Sequence, residues 1–213
     1  MRNQRGVVGR LACTAILVGL AATPADARHR LGAHVEGGFG QSNVRPLQEE
    51  SSFGATASAG VSTSLVGTLR VGLEVSATAS VGGIRPPGCC PTPESSLPGD
   101  RSLTTVLLGV EAMGPHPTSG AFAFIGAGAG HATLKNARGH LSQCSWCMVL
   151  LPPPYVIIPS RSLTAFALGA GAGYRFGGEP GPFGFQLALR SHALVDAGHV
   201  PASAYALTIG LAY

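Results

Sequence analysis

Two serine and histidine pairs in this chain have the residue types of a nucleophile and its general base. Ser191 directly precedes His192, and His140 lies two positions before Ser142. Neighbouring residues on a β-strand point to opposite faces, so Ser191 and His192 cannot easily hydrogen-bond as nucleophile and base. The second pair lies in a segment of loop composition, where the sequence alone gives it no fixed geometry.

Four cysteines form a second set of reactive residues: Cys89, Cys90, Cys144 and Cys147. They lie in two long predicted loops, residues 82–100 and 136–160, and an exported chain would meet an oxidising compartment. A bond between the adjacent residues Cys89 and Cys90 would be strained, so we predict disulfides between the two segments, with both connectivities open. The alternative is a zinc site made of the Cys-Cys and Cys-x-x-Cys pairs.

The third set is charged and alternates with apolar side chains. Residues 69–81 read LRVGLEVSATASV, with seven apolar residues on one parity and Arg70 and Glu74 on the other. This is the period of a β-strand with an unbroken apolar face. Its 13 residues exceed the usual strand of about 5 to 6, whereas a tilted transmembrane strand needs about 9 to 11. The pattern favours a membrane-spanning barrel with a charged, hydrogen-bonded interior.

The same alternation recurs along the chain and predicts eight strands. They cover residues 31–41, 55–66, 69–81, 103–113, 121–135, 161–176, 183–193 and 205–213. Long and short connections alternate, as they do between the outer loops and periplasmic turns of membrane barrels. The predicted fold class is all-β, an eight-stranded antiparallel up-and-down transmembrane β-barrel. In the fifth strand Phe122 and Phe124 oppose Ala121, Ala123 and Ile125, and its facing stays open.

An eight-stranded barrel has an interior just wide enough to be filled by side chains. Buried charges must be paired, so we predict networks of arginine and glutamate inside. By parity, the interior polar residues are His34, Glu36, Arg70, Glu74, Glu111, Arg161, Arg175, Gln186, Arg190 and His192. A structural plug is the favoured interpretation, and a gated, narrow ion path is the alternative. The Gly-Ala repeats at 126–130 and 169–173 lack the spacing of a dinucleotide-binding motif. Small residues are better explained there by close packing of neighbouring strands and interior side chains.

The amino terminus has the three parts of a secretory signal: a basic start, an apolar core over residues 11–22 and a small-x-small site ending at Ala27. We predict cleavage after Ala27 and one barrel domain over residues 28–213. The leader carries three arginines and one aspartate, so the formal charge falls from +4 to +2 without it. This modest charge gives no reason to expect a nucleic-acid partner.

Three segments carry a resemblance to a known family: Gly171 to Phe176, the strand containing Arg190, and the closing strand that ends in Tyr213. They resemble the small eight-stranded outer-membrane β-barrel proteins, which include the OmpA transmembrane domain and OmpX. The resemblance implies a monomer without cofactor or metal in the bacterial outer membrane, in contact with outer-membrane lipid and lipopolysaccharide. It also implies that the barrel-assembly machinery reads the last strand through Tyr205, Leu207, Ile209, Leu211 and Tyr213. The usual last residue is Phe, so Tyr213 is a less typical ending.

We therefore predict a non-enzymatic barrel that contributes to envelope structure or surface interaction through long extracellular loops. Exposed apolar segments usually mark interaction sites, and the candidates in the loop near residue 150 are Trp146, Met148, Leu150 and Tyr155. The alternative for this loop is a hairpin that extends above the membrane and packs on its neighbour.

Two other functions stay open. One is a narrow pore. The other is a lipid-modifying enzyme, because His140-Leu141-Ser142 resembles the His-x-Ser of the outer-membrane lipid A deacylases. Those enzymes carry the pair on a late strand, whereas here it lies in a predicted loop.

Overall fold

Each of the eight alternating segments forms a strand that extends beyond its predicted range at one end. The computed structural model describes residues 31–44, 52–84, 97–114, 119–135, 137–140, 155–177 and 183–213. Its strands are β1 (Leu31–Val44), β2 (Ser52–Val66), β3 (Leu69–Ile84), β4 (Leu97–Met113), β5 (Gly120–Leu134), β6 (Ala137–His140), β7 (Tyr155–Ile158), β8 (Arg161–Gly177), β9 (Gly184–Asp196) and β10 (His199–Ala212). No helix in these ranges is long and apolar enough to cross a membrane.

Eight of the strands close into one antiparallel barrel in the order β1-β10-β9-β8-β5-β4-β3-β2. This confirms the predicted fold class. The other two strands, β6 and β7, pair with each other in a short hairpin, with His140 opposite Tyr155. The sequence predicts a loop there, and the β-branched run Val156 to Ile158 explains why a strand forms instead.

The register keeps the two faces of the sheet apart all the way around the barrel. Across β3 and β4, Val71 lies opposite Val110 and Arg70 lies opposite Glu111. Leu73 is 45% exposed and the next residue, Glu74, is 1% exposed. Residues on the apolar parity therefore face outward, and those on the polar parity face the interior.

The two phenylalanine rings of β5 show which face of this strand points into the barrel. Phe122 and Phe124 are buried inside the barrel, while Ala121, Ala123 and Ile125 are exposed outside. Glycine makes room for the rings, because a Cβ on Gly109 would lie 2.6 Å from the Phe124 ring. Two phenylalanines thus become interior side chains, which hydrophobicity alone does not predict.

The Gly-Ala repeats make room for leucines in the interior. A Cβ on Gly169 would lie 2.2 Å from Cδ1 of Leu107, and one on Gly130 would lie 2.3 Å from Cδ2 of Leu194. Leu107 and Leu194 are fully buried in an apolar cluster that also contains Leu103. Small residues therefore stand where interior side chains fill the barrel.

Gly169→Ala is expected to destabilise the barrel by about 1–3 kcal/mol, because the interior is already filled at that point. Unfolding in urea from lipid vesicles measures the loss. The double variant Gly169→Ala, Leu107→Ala should lose less than the sum of the two single losses. Gly37→Ala is the matched control, since its Cβ would meet no atom within 4 Å. Equal losses at Gly37 and Gly169 would contradict the packing argument.

The connections divide the barrel into two ends. The turn end of the barrel has the start of β1, the end of β10 and the turn at Gly67, together with the strand ends at Met113, Gly120, Gly177 and Gly184. The loop end has the tight turn between β9 and β10 and the strand ends at Val44, Ser52, Ile84, Leu97, Leu134 and Arg161, between which the sequence has its longer connections. In that turn Ala197 and Gly198 both have positive φ, at 46° and 84°, as a two-residue hairpin turn requires.

Exposed aromatic side chains mark two levels on the outer wall. Toward the turn end these are Tyr174, Phe176, Phe183 and Phe185, with the half-buried Tyr213 beside them, and toward the loop end Phe39, Phe53, Phe166 and Tyr205. Tyr174 packs on Phe176 and Phe183 on Tyr213, with ring centroids 4.8 and 5.4 Å apart. Phe166 and Phe176 lie at the two levels of one strand. At about 3.3 Å per residue and a tilt of about 40°, the distance between them along the barrel axis is about 25 Å.

Candidate functional site

Arg190 is the centre of a polar network inside the barrel. Its Nη1 donates to Oε2 of Glu74 at 2.8 Å, and its Nη2 donates to Oε1 of Glu36 at 2.5 Å. Its Nε also reaches Oε2 of Glu36, at 3.2 Å. These side chains come from β9, β3 and β1, and all three are almost completely buried. One guanidinium therefore ties together three separate strands through two carboxylates.

Arg175 makes a second centre nearer the turn end. Its Nη2 donates to both carboxylate oxygens of Glu111, at 3.0 and 3.1 Å, and its Nε donates to Oε1 of Gln186 at 2.8 Å. The Gln186 amide in turn donates to Glu36. Gln186 thus joins the two arginine centres, and we call the connected set Glu36, Glu74, Glu111, Arg175, Gln186 and Arg190 the interior polar network.

Two hydroxyl groups also donate hydrogen bonds to the carboxylate of Glu36. Thr208 donates to Oε2 of this carboxylate, and Ser58 donates to the same oxygen at 3.4 Å. The predicted set omits both residues, although the sequence signal for them exists. Thr208 lies between Leu207 and Ile209 on the inward parity of the last strand, and Ser58 lies between two alanines. A hydroxyl on the inward parity of a barrel strand is a network candidate in the same way as a charge.

Two phenylalanine rings form one wall of the network. The guanidinium carbon of Arg175 lies 4.9 Å from the centroid of Phe122, and that of Arg190 lies 5.7 and 5.8 Å from Phe122 and Phe124. A guanidinium over an aromatic face gains cation–π attraction when both are desolvated. The inward rings of β5 therefore contact the network directly.

Both predicted interior histidines lie beside Glu74. His34 Nε2 is 3.5 Å from Oε2 of Glu74, and His192 Nε2 is 3.9 Å from its Oε1. The other ring nitrogen of His192 lies 3.1 Å from the hydroxyl of Thr105. Among the residues that the structure describes, no group of three or more His, Cys, Asp or Glu is arranged to hold a metal ion. The imidazoles extend the polar network and do not make a metal centre.

Arg70 and Arg161 differ from the other eight predicted interior residues, which are all buried. Arg70 is on the inward face but is only half-buried, near the turn end and opposite Glu111. Arg161 has the inward parity, since it lies opposite the buried Leu134, but its side chain is exposed. It is the first residue of β8 and lies at the loop-end rim. The prediction that Arg161 belongs to the interior network is therefore wrong. Parity predicts which face of the sheet a residue lies on, but not how deep inside the barrel it lies.

A second polar group, absent from the predicted set, lies toward the loop end. The hydroxyls of Ser42, Ser52 and Ser80 lie within 2.5 to 3.2 Å of one another, and Arg101 donates to Ser52 at 3.2 Å. Below them, Thr56 and Thr78 share a hydrogen bond of 3.0 Å. The sequence indicates these residues through the regular Ser/Thr alternation in β2 and β3. A search of the sequence for charged residues alone passes over this pattern.

One small cavity lies among the charged groups in the described part of the interior. This cavity of about 10 Å³ lies beside His34, Glu74, Glu111 and Phe124, roughly the room that one water molecule needs. The paired charges, the two rings and the apolar cluster of Leu103, Leu107 and Leu194 are all buried inside the barrel.

The candidate catalytic pairs do not assemble in the described residues. His192 is buried inside, whereas Ser191 lies on the outer face, as expected for neighbours on a strand. His140 is the last residue of β6, and Ser142 lies outside the described residues. The same is true of Cys89, Cys90, Cys144 and Cys147, of Trp146, Met148 and Leu150, and of the leader over residues 1–27. Tyr155 opens β7.

Solved structures share this architecture. Neisserial surface protein A (NspA) aligns with a TM-score of 0.54 and 10% identity, over 85% of this chain and 95% of that one. OprG from Pseudomonas aeruginosa gives 0.48 and 8%, over 85% and 95%. Ail, the attachment invasion locus protein of Yersinia pestis, gives 0.45 and 18%, over 86% and 99%. No protein-family model matches the chain, and no curated protein matches it in sequence.

These identities are low, so the comparisons concern the fold alone. The fold is that of the small eight-stranded outer-membrane β-barrels, which confirms the resemblance seen in the sequence at the level of architecture.

Proposed function

We propose that this chain is a monomeric, non-enzymatic β-barrel of the bacterial outer membrane. Its filled interior acts as a structural plug, and its long loop-end connections contribute to envelope structure or to interactions at the cell surface. In this proposal the leader is removed after Ala27, and the barrel-assembly machinery reads the last strand, whose Tyr205, Leu207, Ile209 and Leu211 all face outward. Outer-membrane lipid and lipopolysaccharide surround the wall.

The outer wall is the observation that carries this proposal. Large apolar side chains are more than 40% exposed on every barrel strand, among them Phe39, Leu73, Leu108, Ile125 and Leu189. Two levels of aromatic residues about 25 Å apart bound this surface, which is the spacing of the girdles on transmembrane barrels. A water-soluble barrel would expose a continuous apolar surface of this size at a large cost in free energy.

The interior supports a plug over a pore. Glu36, Glu74 and Glu111 each lie within hydrogen-bond distance of an arginine. Because moving one of these groups would leave a buried charge unpaired, the network resists the rearrangement that an ion path needs.

Two measurements on the refolded full chain test the proposal. A folded barrel in vesicles should migrate differently on cold gels before and after boiling. Planar bilayers containing the same preparation should show no single-channel conductance, because the interior is filled. Identical migration in both states would contradict the membrane barrel, and discrete conductance steps would replace the plug with a pore.

Lipid A composition tests the enzymatic alternative. Cells that express the wild-type chain or the His140→Ala, Ser142→Ala variant should have the same lipid A acylation pattern. A pattern that changes with the wild-type chain and not with the variant would make the protein a lipid-modifying enzyme.

A further inference from the structure

A groove of about 610 Å³ crosses the outer wall of the barrel on five neighbouring strands, β8, β9, β10, β1 and β2. Ala170 and Ala172 form part of its floor, and large side chains stand along it, including Phe39, Phe53 and Tyr205. Phe39 and Phe53 are 68% and 72% exposed. The groove therefore runs between protruding rings over a stretch of small residues.

Strand register sets the direction of the groove. Phe53 lies opposite Gln41, Gln41 opposite Tyr205, Tyr205 opposite Ser191, and Ser191 opposite Ala170. The row descends from the start of β2 at the loop-end rim to the middle of β8. Four strand spacings of about 4.8 Å make it about 19 Å long, which suits an extended hydrocarbon chain and not a compact ligand.

Three members of this row, Gln41, Tyr205 and Ser191, carry polar groups on the mostly apolar wall, and we call them the outer polar row. Polar side chains that face lipid are costly and usually have a partner. Two pairs of such groups elsewhere on the wall hydrogen-bond with each other: Ser102 with Thr133 at 2.6 Å, and His131 with Thr164 at 2.7 Å. Within the described ranges, no side-chain hydrogen bond joins the outer polar row to another protein group.

We propose that the groove binds one acyl chain of a lipid in the loop-end leaflet, and that the outer polar row selects chains with a hydroxyl or amide group in or next to the hydrocarbon. An amide and two hydroxyls both donate and accept hydrogen bonds, which complements a hydroxylated or amide-linked chain. A plain diester chain offers no donor. The inference rests on the membrane location proposed above and adds the site and the lipid class.

The shape of the groove favours a lipid over a second copy of this chain. A second barrel is convex and would touch the protruding rings of Phe39 and Phe53 before it reached Ala170. A single flexible chain can lie between the rings and contact the floor along its length.

Native mass spectrometry of the refolded full chain tests the site with two synthetic probes. One is an N-acyl glucosamine phosphate lipid with a β-hydroxyl on the acyl chain, and the other is the same lipid without that hydroxyl. The wild-type chain should retain one equivalent of the hydroxylated probe roughly tenfold more tightly, as expected for one or two hydrogen bonds in an apolar setting.

Three variants separate the parts of the site. Gln41→Leu, Ser191→Ala, Tyr205→Phe should bind both probes equally, because the groove remains and all three selecting groups are gone. Ala170→Phe should lose one-to-one retention of both probes, because its ring fills the floor. Ala77→Phe, an exposed alanine on β3 outside the groove, is the control and should behave as the wild type.

Several results would overturn the inference. These are retention of the preference by Gln41→Leu, Ser191→Ala, Tyr205→Phe, equal effects of Ala170→Phe and Ala77→Phe, or a protein dimer that Ala170→Phe dissociates. Cold-gel migration in vesicles is measured on the same samples. A chain that inserts normally but shows no preference refutes only the lipid site, whereas a chain that does not insert refutes the proposed function.

Discussion

Arg190→Met is expected to reduce the free energy of unfolding of the barrel by about 3–5 kcal/mol, as measured by urea unfolding from vesicles. Removal of one partner from a buried ion pair leaves an uncompensated charge in a region of low dielectric constant, and here one guanidinium serves two carboxylates. Glu36 would keep Gln186, Thr208 and Ser58 as donors, whereas Glu74 would lose its 2.8 Å contact with Arg190.

The charge argument has its own control. The triple variant Arg190→Met, Glu36→Gln, Glu74→Gln removes the orphaned charges and should recover a large part of the loss. Arg161→Met is the matched arginine substitution, and because its side chain is exposed it should change the stability by no more than about 0.5 kcal/mol. If the triple variant were less stable than Arg190→Met, packing and not charge would explain the effect.

Val75→Arg is expected to destabilise the barrel by about 2–4 kcal/mol, whereas Val81→Arg should cost only about 0–1 kcal/mol. Both residues face outward on β3. Val75 lies at the middle of the apolar segment 69–81, and Val81 lies toward the loop end. The cost of an arginine on a lipid-facing wall depends on its depth, since near the interface the side chain can reach water.

Urea unfolding of both variants from the same vesicles measures this difference. Two equal, small losses would mean that the outer wall of β3 faces water, and the membrane location would be wrong. The comparison does not depend on the interior, because both side chains point away from it.

Alternation was enough to predict the faces of most strands. Arg70 and Glu74 point inward and Val71 and Leu73 outward, as the period-two pattern predicts, because a strand in a closed sheet has only two faces. The pattern failed to decide β5, where alanine and phenylalanine are both apolar. There the decisive fact is volume: Phe122 and Phe124 fit inside only because glycines on the neighbouring strands leave space.

Partners inside the barrel were beyond the reach of the sequence. Arg175 on β8 bonds to Glu111 on β4, across β5, and this contact depends on strand register and on the stagger of the closed sheet. The depth of a residue inside the barrel is equally hard to predict from the sequence. Arg161 has the inward parity but lies too near the rim to be buried. Thr208 and Ser58 carry no charge, so a search of the inward parity for charged residues does not find them, although their hydroxyls donate hydrogen bonds to Glu36.

The seam between β1 and β10 has a consequence for how the molecule is made. Of all the residue pairs across it, Val44 and Ala202 are the closest in sequence, and the others extend to His34 and Ala212. One hydrogen-bonding edge of β1 therefore stays unpaired until β10, the last strand, is present. Contacts between such distant positions are slow to form, so this edge of β1 stays unpaired longest. Closure then becomes the last event of assembly.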